Sequence, residues 1–153
     1  MTPPPEGYGS AGSWRSDTRE LVELIYAALQ RMDVGAVTEL VDAWFAPDAA
    51  VVEPAWVIEA GRYEGIDRVK RMFAEVASPG PPVDAAKLVV DRMIEAVAES
   101  DRLDHVVAEI SFPVWTPGSG DTVPVRAVHW WTFKELKVSE IRTYYWNAGF
   151  KPS

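Results

Sequence analysis

The sequence contains no cysteine. Disulfides, thiolate catalysis and Cys-ligated metals are thereby excluded, and the absence fits a reducing cytoplasm. Histidine is nearly as scarce, with His105 and His129 alone. No HExxH, paired-His or EF-hand pattern occurs, so neither a dedicated metal site nor a cofactor is expected. No apolar run approaches the ~20 residues that span a bilayer. No basic segment followed by an apolar stretch opens the chain, so no signal peptide is read there. Positive charge is in deficit: 15 Lys and Arg stand against 23 Asp and Glu, a formal net charge of −8. Such a chain repels phosphates and anionic lipid, which argues against nucleic acid and membrane partners.

What remains is an ordinary globular composition with one excess. Hydrophobic residues make up 48% and charged residues 25% of 153 residues, which suits one domain with one core. Seven residues are Trp. Some must fill the core, and the others can wall a pocket with rigid aromatic faces.

Residues 1–16 are dominated by Pro, Gly and Ser without a period, which predicts a disordered tail before a domain over residues 17–150. Asp17 and Glu20 read as a helix N-terminus. Leu21, Leu24, Ile25, Ala28, Leu29 and Met32 then recur at helical spacing, up to Asp33-Val34-Gly35. A second helix carries Val37, Leu40, Val41, Trp44 and Phe45 on one stripe, and Pro47 stops it. A short strand, Ala49 to Glu53, closes on Pro54, and residues 55–64 read as a hairpin arm or loop. A third helix follows Gly65, with Ile66, Val69, Met72, Phe73 and Val76 on one face. After the break at Ser78 to Pro82 everything reads as strand: 87–99, 104–115, 123–133 and 138–146. Helices followed by a run of long strands predict an α+β fold. Three N-terminal helices cover a curved, mostly antiparallel sheet and leave a cone-shaped pocket at one end.

The stretches YAALQRMDVG (26–35), FAPDAAVVEP (45–54), GRYEGIDRVKRMF (61–73) and IRTYYW (141–146), with Phe133, resemble the nuclear-transport-factor-2-like superfamily. That fold is shared by ketosteroid isomerases and SnoaL-like polyketide cyclases. The resemblance implies a general-base carboxylate at the end of the first strand, where Glu53 stands before Pro54. It also implies an aromatic near the end of the last strand, at Trp146. The isomerase's second, protonated acid falls on His129, and its oxyanion-holding Tyr falls on Ala28, with Tyr26 two residues away. Steroid isomerisation is therefore not expected, whereas a pocket in the same place is.

Glu53 follows two valines, and burial there would lift a carboxylate toward the range useful for proton transfer. His129 alternates with Ala127, Trp131 and Phe133 on one strand face, either as a packed core residue or as a donor facing Glu53. Tyr26, Trp56, Phe73, Trp131, Tyr144 and Trp146 are expected around the ligand. Arg92 and Glu109 are charges inside apolar strands, expected either at solvent or as a pair lining the pocket. Trp130 must point away from its neighbour Trp131. Beside Val128 it suggests a homodimer through the sheet.

The reading that results is a cofactor-independent, polyketide cyclase-like enzyme of secondary metabolism, in the cytoplasm. It would bind a small apolar molecule in an aromatic pocket and promote ring closure by positioning and acid–base help. Two alternatives stand beside it. One is a different enzyme of this fold, an epoxide hydrolase or cyclase built on Glu53, Arg92 and Glu109 or a ketosteroid isomerase-like enzyme. The other is a non-catalytic ligand-binding dimer.

Overall fold

The structure is a computed structural model and describes residues 11–54, 61–80, 82–98, 103–116 and 118–146. Helix α1 spans Ala11–Gln30, α2 Val34–Trp44 and α3 Ile66–Val76. The strands are β1 (Phe45–Val52), β2 (Arg62–Glu64), β3 (Val89–Ala98), β4 (Leu103–Trp115), β5 (Thr122–Lys134) and β6 (Lys137–Tyr145). A 3-10 turn at Ala85–Lys87 leads into β3.

Helix α1 begins six residues before Asp17, the start read from the capping pattern. Its buried stripe is Leu21, Val22, Ile25, Tyr26, Ala28 and Leu29. The helix ends on Met32, at φ 56°, with Met32 N–H bonded to Leu29 O and Asp33 N–H to Ala28 O. This is the paired closure of a left-handed helix terminus, made here without glycine. Gly35 instead lies inside α2, where Asp33 caps the helix by accepting from Ala36 N–H at 3.0 Å. Pro47 does not end α2, which stops at Trp44; it falls within β1, at an irregularity in register between Phe45 and Ala50. Proline is tolerated there because the ladder is already interrupted.

The six strands form one sheet in the order β2-β1-β6-β5-β4-β3. Every pairing is antiparallel except β1 with β6. On β4, Val106, Ala108, Ile110, Phe112 and Val114 are buried and alternate with partly exposed neighbours. On β5 the buried set is Val125, Ala127, Trp131 and Phe133. One face of the sheet therefore carries the core, and the helices lie over it: α1 against β3 and β4, α3 against β1, α2 against α3. The α+β architecture expected from the sequence is the one observed. No helix among the described residues is long and apolar enough to cross a membrane.

The β5–β6 hairpin turns through Glu135 at φ 52° and Leu136 at φ 66°. Both lie in the left-handed region, which costs a side-chain-bearing residue roughly 1–2 kcal/mol and suits Asn-Gly. Replacing Glu135-Leu136 by Asn-Gly is expected to stabilise the fold by about 1 kcal/mol, or ~2–4 °C in Tm, without moving the strands. Thermal unfolding followed by circular dichroism checks it. An unchanged or lower Tm would mean that the turn is not strained.

Candidate active site

The register of β1 against β6 fixes the position of Glu53. Val51 pairs with Ile141 and Val52 with Arg142, so the next residue arrives beside Thr143. The Thr143 hydroxyl donates to Glu53 Oε1 at 2.9 Å, and the Tyr145 hydroxyl donates to Oε2 at 3.0 Å. The Glu53 backbone N–H bonds Gly61 O at 2.9 Å, which ties the strand end to the start of β2. Burial raises the carboxyl's pKa, and the two hydrogen bonds offset part of that rise. The same carboxylate helps keep its neighbours neutral. Tyr145 is raised by burial and then by the charge and hydrogen bond of Glu53. Tyr63 on β2 is raised by burial and then by the charges of Glu53 and Glu75.

His129 lies opposite Thr143 across the β5–β6 ladder, so a single residue separates it from the Glu53 hydrogen bond. Its Nδ1 is 2.7 Å from the Tyr26 hydroxyl, and Trp131 Nε1–H donates to that hydroxyl at 3.1 Å. The Tyr26 and His129 rings stack at 5.9 Å, while Trp131 meets Tyr26 edge-on at 5.8 Å. The edge-to-face series continues from Trp131 to Phe45 and from Phe45 to Phe73. Desolvation lowers the His129 pKa to about 4, so the imidazole is neutral at pH 7.

Glu53 and His129 open onto one cavity of about 100 Å³. Leu29 of α1, Met72 and Phe73 of α3, and Ile110, Phe112 and Trp131 of the sheet supply most of its wall. A small apolar molecule is matched by such a lining, and polar groups converge at only a few points.

Of the residues singled out from the sequence, Glu53, His129, Tyr26, Phe73 and Trp131 line this cavity. Trp56 lies outside the described residues. Four others are not in the lining. Arg92 and Glu109 pair across β3 and β4 at 3.3 Å on the opposite face of the sheet, with the Arg92 side chain 75% exposed. Adjacent Met93 takes the inward place, which turns Arg92 out; Glu109 stands between inward Ala108 and Ile110. The epoxide-opening triad of Glu53, Arg92 and Glu109 is thereby removed. Tyr144 and Trp146 are 51% and 49% exposed, because on β6 the inward positions are Ile141, Thr143 and Tyr145. Trp146 instead lies under the Arg126 guanidinium, 4.8 Å from its ring centre. Sequence reasoning missed Thr143 and Tyr145, the two residues that hold Glu53. The available signal was Ile141: it is the one aliphatic residue of IRTYYW, and its parity selects Thr143 and Tyr145.

A family model described as the SnoaL-like domain matches residues 22–141. No curated protein matches the sequence. Solved structures share the fold at low identity. Bal32a, from a soil-derived mobile gene cassette, superposes with a TM-score of 0.66 at 19% identity, over 88% of this chain and 92% of that one. A candidate SnoaL-like polyketide cyclase from Jannaschia Sp. CCS1 gives 0.62 at 18%, over 90% and 89%. A candidate isomerase from Bacillus subtilis gives 0.63 at 13%, over 86% and 88%.

The two half-buried ionisable groups pull stability in opposite directions with pH. Folding raises the Glu53 pKa, so its contribution is full below the ordinary value of 4.5 and is lost as pH rises through the folded value. Folding lowers the His129 pKa from 6.5, so its contribution is full above 6.5 and is lost as pH falls toward 4. Glu53→Gln is expected to unfold ~2–4 °C higher than wild type at pH 7, with the gain gone by pH 4. The advantage of wild type over His129→Gln is expected to shrink between pH 6.5 and 4, by at most ~1.4 kcal/mol per pH unit. Thermal unfolding at pH 4 and 7 measures the first, and urea unfolding from pH 4 to 8 the second. Parallel curves for the three proteins would contradict the burial of these groups.

Proposed function

The chain belongs to the SnoaL-like domain family, and from that membership and the cavity we propose that it is a cofactor-independent enzyme of the cyclase or isomerase type. The substrate is a small, largely apolar molecule bearing a carbonyl, such as a polyketide, and the reaction is ring closure. One observation carries this reading: a carboxylate with a raised pKa, held by two hydroxyl donors, opens into an aromatic cavity that also contains a neutral imidazole.

Glu53 is the general base. It takes a proton from the carbon next to the carbonyl, and the electron pair moves onto the carbonyl oxygen as an enolate. The enolate carbon then bonds to a second carbonyl of the same molecule, and the proton on Glu53 passes to the new alkoxide. The steps balance without a further reactant. Burial sets the base, because a carboxylate poor in water accepts a proton more readily. The Thr143 and Tyr145 hydroxyls fix both oxygens in one orientation, and His129 offers a hydrogen bond to the enolate oxygen. The cavity wall folds the flexible chain before reaction, which removes entropy ahead of bond formation. The Jannaschia and Bacillus neighbours, a candidate polyketide cyclase and a candidate isomerase, are in keeping with this chemistry.

Linear poly-β-ketone precursors offered to the purified protein test the reading. Wild type is expected to accelerate ring closure, and Glu53→Gln to lower kcat about 10²–10⁴-fold with a small change in KM. Tyr145→Phe is expected to lose about 10-fold. A wild-type protein no faster than buffer, or a Glu53→Gln protein as fast as wild type, would defeat the proposal.

The protein is further proposed to act as a homodimer through the outer face of the sheet. Ile94, Val107 and Trp130 lie in one cross-strand row, with Val128 and Tyr144 paired beside it. Ile94, Trp130 and Tyr144 are 54%, 40% and 51% exposed. A row of large apolar side chains at solvent is the usual mark of a covered face. Light scattering is expected to return twice the 17.0 kDa chain mass for wild type and a monomer for Trp130→Lys. A monomeric wild type at micromolar concentration would reject the dimer.

A further inference from the structure

The hydrogen bonds around His129 determine which of its nitrogens carries the proton. Trp131 Nε1 is a donor only, so the Tyr26 oxygen must accept from it. Tyr26 is buried at 2% exposure, and burial pushes its hydroxyl pKa up, so the phenol keeps its own proton. That proton needs an acceptor, and His129 Nδ1 at 2.7 Å is the atom in place. With Nδ1 accepting, the neutral ring carries its hydrogen on Nε2. The opposite assignment would give Tyr26 two donors and leave a buried hydroxyl hydrogen without a partner. Protonating the ring fails in the same way, which agrees with the low His129 pKa.

The far edge of the ring is open. No group among the described residues bonds Nε2, and the atom is not among the sealed polar atoms that lack a partner. The residue lines the cavity, and so its free N–H is available there.

We infer that Tyr26 and Trp131 are positioning residues that lock His129 as a neutral Nε2–H donor, so that the ligand group facing it is a hydrogen-bond acceptor, a carbonyl oxygen. The lock itself stands without any assumption about the reaction; the use of the donor on a substrate carbonyl rests on the function proposed above. His129 then stabilises charge without giving up its proton, because a neutral imidazole is far too weak an acid to be deprotonated at pH 7. All proton traffic passes through Glu53. This narrows the earlier expectation of His129 as a donor facing Glu53 to that of a hydrogen-bond donor that keeps its proton. The lock also explains two aromatic residues that would otherwise count only as cavity wall. Trp131 is i+2 from His129 on β5, so both side chains point inward and reach the same hydroxyl of α1.

Long-range ¹H–¹⁵N correlation on the ¹⁵N-histidine-labelled full chain at pH 7 reads the tautomer directly, with no turnover required. His105→Asn leaves His129 as the single histidine and assigns its signals. The His129 spectrum is expected to give a pyrrole-type Nε2 and a pyridine-type, hydrogen-bonded Nδ1. In Tyr26→Phe the Nδ1–H form is expected to become populated and the two nitrogen shifts to converge. Trp131→Phe, which frees the Tyr26 oxygen to accept from Nδ1–H, gives a second and independent perturbation. The ligand class is read with 1-tetralone and with tetralin, its counterpart lacking oxygen. Tetralone is expected to shift Nε2 and to bind Tyr26→Phe about 3–10-fold more weakly, while tetralin is unaffected by the substitution. A wild-type His129 protonated on Nδ1 or on both nitrogens overturns the lock, as do unchanged tautomers in both variants. Failure of tetralone to perturb Nε2 overturns the carbonyl assignment alone. An intact lock in a protein that closes no ring would separate this inference from the proposed function.

Discussion

A hydrogen bond between the first helix and the centre of the sheet organises this molecule: the Tyr26 hydroxyl on α1 meets His129 Nδ1 on β5 at 2.7 Å. A core of this kind has every reason to be apolar, because a buried polar atom without a partner costs more than the bond it replaces. Three polar groups, from Tyr26, His129 and Trp131, are nevertheless placed together, and each satisfies another. Their mutual satisfaction fixes the rotation of α1 over the sheet, since only one face of the helix can present Tyr26 to β5. It also keeps the imidazole neutral and aimed at the cavity that the helices enclose.

Across that cavity the second polar group is handled differently. Glu53 stands just beyond the end of β1, where the parallel pairing with β6 delivers it to Thr143 and Tyr145. On the helix side of the cavity Leu29, Met72 and Phe73 are apolar and the Tyr26 hydroxyl is taken up by His129 and Trp131, so the carboxylate's partners come from the strand beside it. Two hydroxyls are enough to hold a carboxylate and too few to replace its full hydration. Its pKa therefore rises, while its geometry stays fixed. A carboxylate of raised pKa and a neutral imidazole on the wall of one largely apolar cavity are the pair on which the proposed proton transfer rests.

The remainder of the sheet keeps charge away from this site. Arg92 and Glu109 neutralise each other on the outer face, beside the exposed Ile94 and Trp130. The cavity and the outer face are separated by a single layer of backbone. Neighbouring residues of one strand thus serve opposite sides of the protein: Trp130 faces out and Trp131 completes the hydrogen-bond network within.

The sequence alone determined the helices, the long strands, the α+β layering and the candidacy of Glu53 and His129. These follow from local chemistry: apolar spacing, glycine and proline breaks, and a carboxylate among valines before a proline. It determined the opposite orientations of Trp130 and Trp131 as well, because alternation along a strand needs no partner. The tertiary structure decided which parity of β6 faces the helices, a choice at which Ile141 alone hinted in the sequence, and hence that Thr143 and Tyr145, not Tyr144 and Trp146, reach the cavity. Aromatic residues occupy both parities of IRTYYW, and register shifts at Phe45/Ala50, Val90/Arg92 and Thr132/Phe133 break the count that would carry parity from one strand to the next. The same holds for the bond between Tyr26 and His129. They are 103 residues apart, and only the packing of a helix against a sheet brings a phenol to an imidazole.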